Sequence, residues 1–230
     1  MPKTDDEKIL DLLATGEQSK VELAFQLCVG LRGQCGEEVA QELHHFPILC
    51  IKSNLEKTYT DVLEKIALID EPFQQLPKEI ASFPCLKELF MEGGNLEKLP
   101  SEIRSLSNLE DLCLLSTQLI ELPPEIGELK RLNWLRVEDS YLDTLPVEIE
   151  QMQELLYLEV AHNNIAHIPP EIGSLKKLIG LDLRYNQLEE LPREIQNLQQ
   201  LQTLSLDENP LTLRQKDQIK SWLPHCHISF

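Results

Sequence analysis

The side chains of this 230-residue chain that could bind a metal or act as nucleophile and base are six histidines and six cysteines. The histidines fall in three groupings, one of which includes a cysteine: His44-His45, His162 with His167, and His225-Cys226-His227. A zinc site brings three or four ligands to one point, usually as pairs at fixed spacing. None of these groupings has such a second pair, so no metal ligand is assigned. Covalent chemistry requires a thiol within hydrogen-bond reach of a base, and Cys113 with His162 is the pair to weigh. The two sit two turns apart in a 23-residue repeat, on strands that stack ~4.8 Å per step, so about 10 Å separates them. That is too far. Phosphate-cradling GxxxxGK[ST] and GxGxxG loops are absent, as is HExxH. The expectation is no catalytic residue and no cofactor, with a hidden enzyme in the first sixty residues as the weakest reading.

The elements that position every side chain follow from the repeat. Leu-Pro-x-Glu-Ile begins at Leu76, Leu99, Leu122, Leu145 and Leu191, with Ile in the first position at Ile168. Six copies in constant register describe a stacked solenoid, in which each unit buries its apolar face only against its neighbours. The unit opening at Leu178 carries Leu178, Leu181, Leu183, Asn186, Leu188, Leu191, Pro192, Glu194, Ile195 and Leu198. Apolar residues two apart (Leu181, Leu183) predict a short strand with one buried face. Pro192 is expected at the first position of a helical turn, where its missing N–H costs nothing. Glu194 then lies near the positive end of that turn.

This pattern resembles the leucine-rich repeat in its 23-residue LPxEI form, as in small bacterial proteins of that family and the intracellular Ras-group scaffolds. The resemblance covers residues 63–230. It implies an α/β solenoid with a curved parallel sheet on the concave side and short helical or 3-10 turns on the convex side. Residues 63–230 divide into a degenerate first unit, six regular units and a C-terminal cap from about 210. The ninth position of each unit, which in the family carries an Asn tying neighbouring coils together, reads Gly94, Thr117, Ser140, Asn163, Asn186, Asn209. The first half of the solenoid is therefore expected to fray before the second.

Residues 1–62 lack the repeat and read as a helical N-terminal cap. Asp5–Leu13 is one helix. Lys20–Leu31 is a second, capped by Ser19, with Val21, Ala24, Cys28 and Leu31 on one face and Leu23 and Leu27 on another, which predicts burial between layers. Gly33 and Gly36 precede a third, Glu37–His45, and Thr60–Lys65 leads into the first unit.

The resemblance places function on the variable strand positions, which form columns across the concave sheet. The third residue of each unit gives Glu88, Asp111, Trp134, Tyr157, Gly180 and Thr203; the fifth gives Phe90, Cys113, Arg136, Glu159, Asp182 and Ser205. The seventh and eighth positions add Glu138, Asp139, His162, Arg184 and Tyr185 among others. Four of only twelve aromatic residues, Phe90, Trp134, Tyr157 and Tyr185, fall on this face. Aromatic and arginine side chains anchor protein interfaces. The candidate partner-binding residues are therefore Phe90, Trp134, Arg136, Tyr157, Glu159, His162, Asp182 and Tyr185.

A net charge of −18 opposes nucleic acid and anionic membrane as partners, and the acidic columns favour a basic protein surface. No signal peptide or apolar span of ~20 residues is present. Scattered cysteines without a CxxC pair read as reduced thiols. The expected place is the cytoplasm, non-classical secretion aside. The reading is a non-enzymatic protein-interaction module. Its rivals are a translocated bacterial effector using the same face on a host protein, and a homodimer.

Overall fold

A computed structural model describes residues 3–15, 17–31, 36–43, 46, 49, 63–71 and 73–230. Its centre is one eight-stranded parallel sheet in which strand order equals chain order. The strands are β1 (Lys65–Ile69), β2 (Glu88–Glu92), β3 (Asp111–Leu115), β4 (Trp134–Glu138), β5 (Tyr157–Glu159), β6 (Gly180–Asp182), β7 (Thr203–Ser205) and β8 (His227–Ser229). Register follows the repeat: Lys65, Glu88, Asp111, Trp134, Tyr157, Gly180 and Thr203 lie side by side, and His227 continues the row. The fold is the expected α/β solenoid.

Alternation along each strand separates the two faces. In β3, Leu112 and Leu114 are buried while Asp111, Cys113 and Leu115 stay half-exposed. The buried set meets the Ile of each LPxEI copy, and Ile80, Ile103, Ile126, Ile149, Ile172 and Ile195 are all fully buried. Opposite the sheet run six five-residue 3-10 turns: Lys78–Ser82, Ser101–Ser105, Pro124–Glu128, Val147–Gln151, Pro170–Ser174 and Arg193–Asn197.

The repeat's proline sits one residue earlier than expected. Pro77, Pro100, Pro123, Pro146, Pro169 and Pro192 precede their turns in an extended conformation, with φ from −57° to −75°. Each proline carbonyl accepts the N–H of the Ile three residues on, at 2.9–3.1 Å. Proline fits there because its fixed φ suits extended backbone, and its carbonyl, unlike its nitrogen, closes the turn.

In the N-terminal region, α1 (Asp5–Leu13) starts at a capping box: the Glu7 amide donates to Thr4 Oγ1 at 3.2 Å, and the Thr4 amide to the Glu7 carboxylate at 2.8 Å. Helix α2 (Gln18–Gly30) begins before Ser19, so Ser19 is not its cap. The Glu17 carbonyl already accepts the amides of Lys20 and Val21 at 2.9 Å, which winds the chain before Ser19 is reached. Val21, Ala24, Phe25 and Cys28 are buried, but Leu23 and Leu27 are 46% and 39% exposed. Burial between two layers is thus corrected to burial on one face. Helix α3 spans Glu37–Leu43. Gly33, Cys35, His44, His45, Cys50 and Thr60 lie outside the described residues.

At the other end, α4 (Leu213–Trp222) starts at Thr212, whose Oγ1 accepts the Gln215 amide at 3.3 Å. The apolar tail beyond it is the sheet's eighth strand, with Ser229 accepting the Leu206 amide at 3.0 Å.

Candidate functional site: the concave sheet

The concave face is built from the outward residues of successive strands, each one step from the last. Trp134 and Tyr157 lie directly opposite each other on β4 and β5, ring centroids 5.4 Å apart and planes at 42°. Both remain more than a third exposed. Tyr157 has room to lie down because its neighbour in the row is Gly180; a Cβ there would come within 2.8 Å of the Tyr157 ring. Arg136 places its guanidinium 5.1 Å from the Trp134 ring and hydrogen-bonds Glu159 on the next strand. One row thus supplies a tilted aromatic pair and the adjacent row a charge pair laid against it.

The remaining candidates divide into separate groups. Phe90 lines a hollow of about 210 Å³ with Glu88, Asp111, Cys113, Trp134 and Arg136. His162 stacks flat on Tyr185, centroids 4.0 Å apart and planes at 12°, with Asp139 3.8 Å from its Nδ1. Asp182 is held by Arg184 through contacts of 2.6–3.0 Å rather than by Arg136. The eight candidates therefore share a face but form a central patch (Trp134, Tyr157, Arg136, Glu159), a hollow beside it and two satellite pairs.

The face is electrostatically crowded. Burial raises the Glu138 carboxyl above its usual range, and Glu159, Asp182 and Asp139 add to the rise against the opposing pull of Arg136. Burial also raises Asp111, assisted by Glu88 and Glu110. The Cys113 thiol is pushed up by burial as well, the reverse of what a nucleophile requires. Arg136 occupies the strand position between Cys113 and Glu159, so Cys113 and His162 are not adjacent. Burial carries the Cys226 thiol up to about 11. Cys85, Cys113 and Cys226 are free thiols.

A backbone feature of this site escapes residue typing. Asp70, Gly93, Ser116, Asp139, His162, Tyr185 and Glu208, the eighth residue of each unit, all have φ between 50° and 70°. Seven residues of six types share one left-handed conformation, so only the spacing of 23 could have marked them. From Asp70 to Tyr185 each still donates its amide to a carbonyl of the next coil, as Ser116 does to Glu138 at 2.9 Å and Tyr185 to Asp207 at 2.9 Å. The reversal ends the strand, and the ninth side chain then reaches between coils. Asn186 accepts the Ile165 amide at 3.0 Å and donates to the carbonyls of Val160, Leu183 and Arg184 at 2.9–3.1 Å. Asn163 and Asn209 repeat this pattern. Thr117 and Ser140 replace it with a mutual hydroxyl contact of 2.8 Å.

Comparison with known proteins agrees with this geometry. A family model described as leucine rich repeat matches residues 153–211. A leucine-rich-repeat protein of Leptospira interrogans is 32% identical, over 78% of this chain and 57% of that one, with a TM-score of 0.48. The internalin InlF of Listeria monocytogenes is 22% identical, over 68% of this chain and 46% of that one, with a TM-score of 0.57. The plant peptide hormone receptor RGFR1, solved in complex with RGF2, is 31% identical over 67% of this chain and 26% of the receptor, with a TM-score of 0.57. The chain thus spans from about a quarter to somewhat over half the length of these proteins. No curated protein sequence matches it. Coils in 23-residue register, the ninth-position side chains that lace them together and the matching family model together make this chain a leucine-rich-repeat protein.

Proposed function

We propose that this chain is a non-enzymatic module that binds a protein partner on its concave sheet. Trp134 and Tyr157 are its anchors, Arg136 and Glu159 lie beside them, and Phe90, His162, Asp182 and Tyr185 surround them. The observation that carries this reading is the Trp134–Tyr157 pair, left more than a third exposed at the centre of a preformed sheet. Large aromatic side chains that remain solvated in the free protein, on backbone that need not rearrange, gain most from being covered. The carboxylates crowded around the patch favour a basic partner surface. RGFR1, one of the similar structures, is a receptor solved in complex with RGF2, which accords with a ligand-binding use of this fold. The helices of residues 1–62 serve in this reading to shield the first coil, and the free thiols suit a cytoplasmic setting.

The test is capture from lysate with the intact protein and a Trp134→Ala/Tyr157→Ala variant of equal circular dichroism. Both residues are exposed on the sheet's outer face, so the variant should fold. A partner held by the intact protein and lost by the variant, by tenfold or more in affinity, supports the reading. A partner held equally by both moves function off this face. A second copy of the chain as the only species captured replaces the partner by a homodimer.

A further inference from the structure

We propose that the hollow between β2, β3 and β4 seats a lysine or arginine side chain of the partner, its stem on Phe90 and Trp134 and its charged head on Asp111. This rests on the concave-face reading and names the chemistry at one point of it.

The walls of the hollow set the shape of the occupant. Phe90 and Trp134 supply an apolar lining, while Asp111 and Glu88 bring two carboxylates to one side. About 210 Å³ is smaller than the ~300–1,000 Å³ typical of small-molecule and cofactor sites. It suits one side chain entering from a larger surface. A long cationic side chain matches, because its methylenes cover apolar surface while its head stays with charge.

Charge pairing across the face selects the sign. Each cation presented by the strands is already matched within the face: Lys65 lies 2.6 Å from Glu88, Arg136 hydrogen-bonds Glu159, and Arg184 grips Asp182 at 2.6 Å. Asp111 has no ion pair among the described residues, although it sits next to Glu88 in the row and Trp134 on its other side. Its carboxyl is raised by burial and by Glu88 and Glu110, against the weaker pull of Lys65 from β1, so an added cation would relieve repulsion as well as form a pair. The same row already holds one such pair, in which Lys65 of β1 reaches Glu88 of β2 at 2.6 Å. Arg136 borders the hollow on the far side, with its charge directed to Glu159 and with Glu138 4.0 Å away, which sends an incoming head toward Asp111.

The experiment is selection of a random heptapeptide phage library on the full chain. The enriched peptides are then synthesised and titrated against the intact protein, Asp111→Asn and Trp134→Ala/Tyr157→Ala. The expected result is peptides containing a Lys or Arg whose replacement by norleucine weakens binding at least tenfold. Asp111→Asn should weaken the same peptides to the same degree. The norleucine exchange leaves the protein untouched, so a folding defect in Asp111→Asn could not mimic the result. Peptides that need Trp134 and Tyr157 but neither a basic residue nor Asp111 overturn the cation seat and leave the concave-face reading standing. Peptides indifferent to all the substitutions, or a selection that enriches none, overturn both.

Discussion

Gly94 stands where later coils carry Asn, Thr or Ser, and in the sequence it reads as a missing rung of the ladder between coils. Its backbone explains the substitution. Gly93 and Gly94 both have positive φ, at 70° and 71°, whereas in the following units only the eighth residue does. A Cβ on Gly94 would come 2.3 Å from the Glu71 carbonyl oxygen. The strand-ending reversal is therefore one residue longer in this coil, and only glycine fits it without strain. Replacing Gly94 with Asn should not complete the ladder. It should destabilise the protein by about 1–3 kcal/mol, the usual cost of a forced left-handed residue with a backbone clash, as read by equilibrium urea unfolding. A stabilised Gly94→Asn variant would show that the first coil can adopt the backbone of the others. The two-glycine step was legible as composition, but the φ values that give it meaning were not.

Among the elements, coils differ in how strongly they hold their neighbours. The Asn163, Asn186 and Asn209 side chains each satisfy one amide and several carbonyls, while Ser140 Oγ meets the Thr117 hydroxyl at 2.8 Å and accepts the Thr117 amide at 3.3 Å, and Gly94 has no side chain to contribute. A second lacing lies on the convex side, where Lys130 donates to the Gly127 carbonyl at 2.8 Å and Lys176 to the Gly173 carbonyl at 2.6 Å. Each also reaches a carbonyl of the next turn at 3.4 Å. These cations sit at the negative ends of their 3-10 turns. With a net hydrogen bond worth about 1 kcal/mol, amides of β6 and β7 should exchange at least about tenfold more slowly than those of β2, as hydrogen exchange would measure. Equal protection along the sheet would mean that unfolding is concerted and that the ladder does not set local stability. The weak rungs could be read from residue types alone. The lysine lacing could not, because Lys130 and Lys176 resemble any other surface lysines until the turns are stacked.

For the whole molecule, stacking in register concentrates charge that the linear sequence disperses. Asp111 and Glu138 belong to different units, yet burial and neighbouring carboxylates raise both. A carboxyl raised in the folded state binds its proton at a higher pH than in the unfolded chain. Between the two values the folded state holds more protons, so these groups cost stability once pH exceeds the folded value and cease to cost it below the unfolded one. Glu138→Gln should therefore raise the melting temperature at pH 7, with the gain shrinking as pH falls through the carboxylate range. Thermal melts of both proteins from pH 4 to 7 test this. A gain that is unchanged across the range, or a loss at pH 7, would show that the bond network of Arg136 outweighs the crowding.

The sequence by itself determined the coil length, the parallel stacking of the repeat strands and which repeat residues face the core. All of these follow from a 23-residue period and a two-residue alternation that survive without any tertiary contact. It also determined which side chains share the concave face, since constant register places position three beside position three. Tertiary structure alone decided what those side chains do to one another. Whether Arg136 pairs with Glu159 or Asp182, whether Tyr157 finds space over Gly180, and whether Leu23 and Leu27 are covered all depend on rotamers, on neighbours one coil away and on how helices pack. Those are properties of distances of a few ångströms between residues 23 or more apart, and no local pattern in a chain encodes them.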